Sequence, residues 1–382
     1  TGESENLWVK ATQPMANINV DKDEFIVVGG HLEAWGKTAI CNSSGNAMMI
    51  EIAKKFHKFK GKLNRNIIIG FWDGHEIAEA AGSAWFVDNN WDELDENCVA
   101  YVNIDNPGII GTEIPTVRCS LELRDFALEI VREVWGREGV WKQPYMGGDE
   151  SFLGIGVPYI SFSTEYTKEK VLELNYATLS PWIHSEADTI DKIDIKLYEK
   201  HMEYYTKLIF RLCNSLIIPY NQEVVVEKLL KELMEHENKL ETKTGISLKK
   251  CIEKSEELLN SVKRLDEERK NVEEYYERRG LNEKLKEKVE LMNKALIRVS
   301  HELSNVMMTE AGRYDYDPYG YHLTGKPIPR IYSSIEKIMN IDPSTNEFKL
   351  LETKILRDRK MILDSINNSI RYLKFTLKLI SK

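Results

Sequence analysis

Three short apolar runs, FIVVGG (25–30), NIIIGFW (66–72) and VAYVNI (99–104), constrain this chain more than any other feature. Each is apolar at successive positions rather than at alternating ones. A strand with one wet face alternates, whereas a strand covered on both faces does not. Between and after these runs lie segments with helical periodicity, SSGNAMMIEIAKKF (43–56), IAEAAGSAWFVDN (77–89) and LELRDFALEIVREVW (121–135). A further strand, VPYISFS (157–163), is followed by a helix over 195–216, where Tyr198, Met202, Tyr205, Ile209, Leu212 and Leu216 share one face. This alternation predicts an α/β fold with a mostly parallel, doubly wound sheet. Ligands of such sheets sit beyond the carboxyl ends of the strands.

The pattern changes near residue 221. Residues 224–240, 248–278 and 282–306 are rich in Glu, Lys and Leu, and Leu285, Val289, Met292, Leu296, Val299, Leu303 and Val306 form one apolar stripe. An irregular loop (310–330) dense in Tyr, Gly and Pro precedes two more helices, 331–341 and 347–380. Ser344 and Glu347 have capping-box spacing after Pro343. The expected organisation is an α/β domain over 1–220 and an all-α bundle over 221–382.

A net charge of −9 and a pI near 5.6 argue against nucleic acid or an anionic membrane as the main partner. No apolar run approaches the roughly 20 residues of a membrane span. The five cysteines are scattered and lack a CxxC pair, which favours a reducing compartment, with the cytoplasm as the expected location. The first residue is Thr1 rather than Met, so a trimmed piece of a longer chain is also expected.

Four side chains fall just after predicted strands or in loops at the same sheet edge: His31, Glu76, Asp105 and His184. Singly, a histidine there is more often a hydrogen-bonded structural residue, and an acid more often a helix cap. Jointly, two imidazoles and two carboxylates suit Zn²⁺.

GGHLEAW, CNSSG, WDGHE–GS, NID and HSEADTIDKID stand in the order and at the spacing of the zinc exopeptidase family of glutamate carboxypeptidase and the transferrin receptor. The sequence resembles that family along nearly its whole length. GYHLTGKPIPRIY and the final long helix resemble the family's dimerisation domain, so a homodimer through the helical part is implied. Residues 1–24 resemble a start after the first strands and the inserted apical domain. Without that domain the cleft would be more open.

The resemblance implies a two-zinc centre, with His31 and Asp105 on one metal and Glu76 and His184 on the other. It also implies a bridging Asp where Cys41 stands and a general-base Glu where His75 stands. Glu33 replaces the Asp that supports the first His. One sulfur on a shorter stem is expected to reach a single ion, and unbridged dications repel strongly. At most one tightly held zinc is expected, with no bound metal as the alternative. Losing general acid–base help costs about 10²–10⁴-fold. Two readings follow: a catalytically impaired homologue (a pseudoenzyme that binds a peptide or small molecule), which the departures favour, or an active amino- or carboxypeptidase with a rewired centre. The resemblance implies that His322 and Leu323 take the places of a Lys-Tyr pair in the substrate pocket; Asp149, Tyr319 and Tyr321 are further candidates to line the cleft, with structural roles as the alternative. The family's arginine-rich patch has no counterpart in GVPYISFS, so glutamate specificity is not expected.

Overall fold

The computed structural model describes residues 5, 7, 9–78, 80–144, 149–317 and 326–381. Among the described residues seven strands form one sheet: β1 (Met15–Ile18), β2 (Phe25–His31), β3 (Asn66–Trp72), β4 (Cys98–Asn103), β5 (Ile114–Cys119), β6 (Val140–Lys142) and β7 (Tyr159–Glu165), in the order β1-β3-β2-β4-β7-β5-β6. The centre of the sheet is parallel: β2 pairs with β3 and β4, and β4 with β7. The three runs read as buried strands are β2, β3 and β4, and every residue of β2 and β4 is buried. β1 and the β5–β7 pair are antiparallel, so the sheet is mixed toward its edges.

In chain order the helices are α1 (Gly45–Lys58), α2 (His75–Ala78), α3 (Ala81–Asn89), α4 (Trp91–Asn97), α5 (Arg124–Trp135), α6 (Phe152–Ile155), α7 (Lys168–Glu173), α8 (Ile195–Asn214), α9 (Gln222–Thr244), α10 (Lys249–Arg279), α11 (Glu283–Met307), α12 (Pro329–Met339) and α13 (Asn346–Ile380). One apolar cluster covers a sheet face and runs on without a break into α9–α13. The stripe from Leu285 to Val306 is buried along its whole length. A second cluster on the other side gathers Val27, Trp72, Phe86, Tyr101 and Phe152. Among the described residues no helix is long and apolar enough to cross a membrane.

The cap of α13 falls one residue later than its capping-box spacing suggests. Thr345 Oγ1 accepts from the Phe348 amide at 3.2 Å, because Ser344 is held in the preceding turn by Asp342 at 2.8 Å.

A charged cluster ties α4 to the helical part. Asp95 meets Arg298 and His301 of α11, and Arg313 beyond it, and these partners hold its carboxyl well below the usual range despite burial. Removing one member of such a network leaves cations unpaired. Asp95→Asn should therefore lower unfolding stability by about 2 kcal/mol in a denaturant titration.

Candidate metal centre

β2 delivers His31 to the sheet edge, and two glycines let it do so. A Cβ on Gly29 would lie 2.4 Å from the Trp72 ring, and one on Gly30 would lie 2.4 Å from the Ile104 carbonyl oxygen. His31 Nδ1 donates to the Glu33 carbonyl at 2.8 Å, which turns Nε2 toward the centre. β3 ends at Trp72, level with His31. The chain then turns through Asp73 and Gly74 (φ +83°), which places His75 and Glu76 on the first turn of α2. The Glu76 amide donates to Glu33 Oε1 at 2.7 Å, so the acid expected to support His31 acts on it through its carbonyl and on Glu76 through its carboxylate. Asp105 follows β4, and His184 enters from the loop before α8 with φ +59°.

Cys41 sits in the turn before α1, 3% exposed. Its position is fixed from a distance: the Asp188 carboxylate accepts from the Ile40 amide at 2.9 Å and the Cys41 amide at 3.2 Å. Asn42 donates to the Ile104 carbonyl at 3.0 Å and accepts from the Asn106 amide at 3.2 Å, joining this turn to the end of β4.

The structure thus brings His31, Cys41, His75, Glu76, Asp105, Asp149 and His184 together. His31 Nε2 lies 3.2 Å from Asp105 Oδ1, and His184 Nε2 lies 3.2 Å from Glu76 Oε1. Cys41 Sγ stands between the two pairs, 3.6 Å from each Nε2, and donates to Glu76 Oε1 at 3.1 Å. His75 stacks on His31 with ring centroids 4.3 Å apart, and its Nδ1 is 3.6 Å from Asp149 Oδ2, a charge contact rather than a hydrogen bond. Tyr319, Tyr321, His322 and Leu323 lie outside the described residues.

These contacts set the protonation of the groups. Burial pushes the Cys41 thiol far up, reinforced by Asp105 and Glu76. Burial lowers His75, but Asp149 outweighs it and raises the group to about 10. His31 is raised by Asp105 against the opposing effect of its burial, and Asp105 is lowered by His31 against its own.

Buried polar atoms without a hydrogen-bond partner collect here: Glu33 Oε2, His75 Nδ1, Asp105 Oδ1 and Asp149 Oδ1. Each such atom is costly unless an ion or water meets it. The donor atoms of His31, Cys41 and Glu76 lie within 4.8 Å of one another. This nitrogen, oxygen and sulfur set fits zinc. At the centre of the cluster stands a thiol, which offers one donor atom where a carboxylate would offer two. A cleft of about 510 Å³ opens beside the cluster. Arg118 of β5 and Lys142 of β6 line it. Lys142 pairs with Glu165 at 2.6 Å.

A sheet that carries this set of imidazoles, carboxylates and a thiol at its carboxyl edge has the donor chemistry of a metal centre. Residues 13–209 match the sequence profile of Peptidase family M28. The chain belongs to that family. It is 26% identical over 285 residues to Probable glutamate carboxypeptidase LAMP1 of Arabidopsis thaliana, covering 69% of this chain and 41% of that protein. It is 21% identical over 222 residues to Transferrin receptor protein 2 of Homo sapiens, covering 52% of this chain and 26% of that protein. The chain therefore spans less than half the length of either relative. A zinc aminopeptidase from Bacillus subtilis superposes with a TM-score of 0.45 at 15% identity, covering 53% of this chain and 50% of that one.

Spacing alone gives Asp188 no role, although it lies in the HSEADTIDKID segment that marks the family resemblance. Asp188→Ala removes two charge-assisted bonds to the Cys41 turn. Alkylation of Cys41 by iodoacetamide should accelerate by about tenfold or more, followed by mass spectrometry under native conditions.

Proposed function

We propose that this chain is a catalytically impaired, glutamate carboxypeptidase-like peptidase homologue. It holds at most one metal ion tightly and keeps its cleft as a binding surface for a peptide or small molecule. The observation that carries this reading is the placement of His75. A general base needs a free lone pair aimed at the water it activates. The imidazole at that position is instead stacked on His31 and turned toward Asp149. A bound zinc supplies Lewis-acid polarisation and a more acidic water. This chain's residues would hold the ion, while the side chain at position 75 is an imidazole rather than a carboxylate.

One observation favours the second reading, an active exopeptidase with an altered centre: both ligand pairs keep their 3.2 Å approach. The readings separate on turnover. The zinc- or cobalt-loaded full chain should hydrolyse a mixed peptide library at a rate lower than an active exopeptidase by at least about 10²-fold. Full turnover with two ions per chain by elemental analysis overturns the impaired reading. Cys41→Asp combined with His75→Glu should raise the ion count toward two, measured by calorimetric titration, because the remaining four ligands already converge.

The reading extends to assembly. The family resemblance of the final helices implies a homodimer, and Leu350, Met361, Tyr372 and Phe375 on α13 are exposed apolar residues, Leu350 at 72% and Phe375 at 64%. Light scattering at micromolar concentration should give twice the 44.3 kDa chain mass.

A further inference from the structure

We infer that Cys41 Sγ, Glu76 Oε1 and His184 Nε2 form a thiolate-anchored site for one zinc-class ion, with the fourth position facing the cleft. This rests on the reading that the chain holds a single ion tightly. It departs from the paired centre in its ligands as well as its count.

The three atoms form a triangle with edges of 3.1 Å (Sγ to Oε1), 3.6 Å (Sγ to Nε2) and 3.2 Å (Oε1 to Nε2). Around one tetrahedral zinc, bonds of about 2.3 Å to sulfur and about 2.0–2.2 Å to nitrogen and oxygen give ligand-to-ligand edges of about 3.3–3.6 Å. The Sγ–Nε2 edge matches one face of that coordination shell, and the two edges that meet at Oε1 are shorter than it by a few tenths of an ångström. The shortest is the one where the thiol donates to Glu76. On binding, the thiol proton leaves to solvent as the sulfur–metal bond forms, and Oε1 is released to the ion.

The ligands are held from behind. Asp188 fixes the Cys41 amide and Glu33 fixes the Glu76 amide, so two of the three do not depend on the ion for their position. His184 is 47% exposed and closes the triangle from the solvent side, which gives the ion an entry path. The other histidine is set deeper: His31 is 1% exposed against 47% for His184. His31 Nε2 faces Asp105 Oδ1, and the His31 ring is stacked against His75. That pair forms the wall of the site. A thiolate ligand also sets the class of ion: Zn²⁺, Co²⁺ or Cd²⁺ is favoured over Mg²⁺, Ca²⁺ or Mn²⁺.

The test is a Co²⁺ titration of the full chain, followed by absorption. One cobalt per chain should bind with a thiolate-to-cobalt charge-transfer band in the near ultraviolet. Cys41→Ser should abolish the band and weaken binding at least about tenfold, and His184→Ala should weaken binding similarly. Asp105→Asn should keep both the band and the stoichiometry. Circular dichroism confirms that each variant is folded. Binding of one ion without the band, or loss of binding in Asp105→Asn, overturns the thiolate site and leaves the single-ion reading standing. Two ions per chain overturn the single-ion reading whatever the band shows. No cobalt binding overturns the site.

Discussion

Parallel pairing of β2 between β3 and β4 is the constraint on which the centre depends. Three strands that run in one direction must release their chains at one edge. His31, the His75–Glu76 turn and Asp105 therefore meet without being close in sequence. The pairing can be this close only because Gly29 and Gly30 carry no side chain where Trp72 and the Ile104 carbonyl pass. The fourth contributor, His184, arrives in a loop that the Asp188 carboxylate fastens to the Cys41 turn. A bond between two chain segments 147 residues apart thus sets where the sulfur lies.

The parts of this arrangement that were legible in the sequence are those with a repeating signal. Unbroken apolar runs gave the buried parallel strands, and the seven-membered stripe on α11 gave its buried face. β6 has three residues, too few for any period to show, and β5 carries Pro115, which argues against a strand by composition. In the structure β5 runs antiparallel to β7, and Pro115 is paired opposite Thr164. Missing these strands also hid Arg118 and Lys142, since their place in the cleft follows from the strands that carry them.

The candidate site residues were picked out by a different route. Periodicity says nothing about His31 or His184; their order and spacing within a recognisable set of motifs did. That set named the ligand pairs, and the structure brings each pair to 3.2 Å. Spacing gave no sign of Asp188 or Asn42. Both act on backbone amides and carbonyls, and such partners are chosen by the tertiary fold, so no local pattern announces them. The role of Glu33 was half legible: the residue was noted, but which of its atoms supports His31 depends on the turn it makes.

The two departures at the centre belong together physically. Two dications in one cleft need several anions to offset their repulsion. On the proposed function, a thiol at position 41 leaves one ion. An acid at position 75 would then stand beside Glu76, Asp105 and Asp149 with half the cationic charge to offset it. Like charges at such distances drive one another toward protonation. An imidazole removes that anion, stacks on His31 and faces Asp149, so it relieves the excess rather than adding to it. On this reading, replacing the first acid makes the second one unfavourable, and the change from His75 back to Glu belongs only with the change from Cys41 back to Asp.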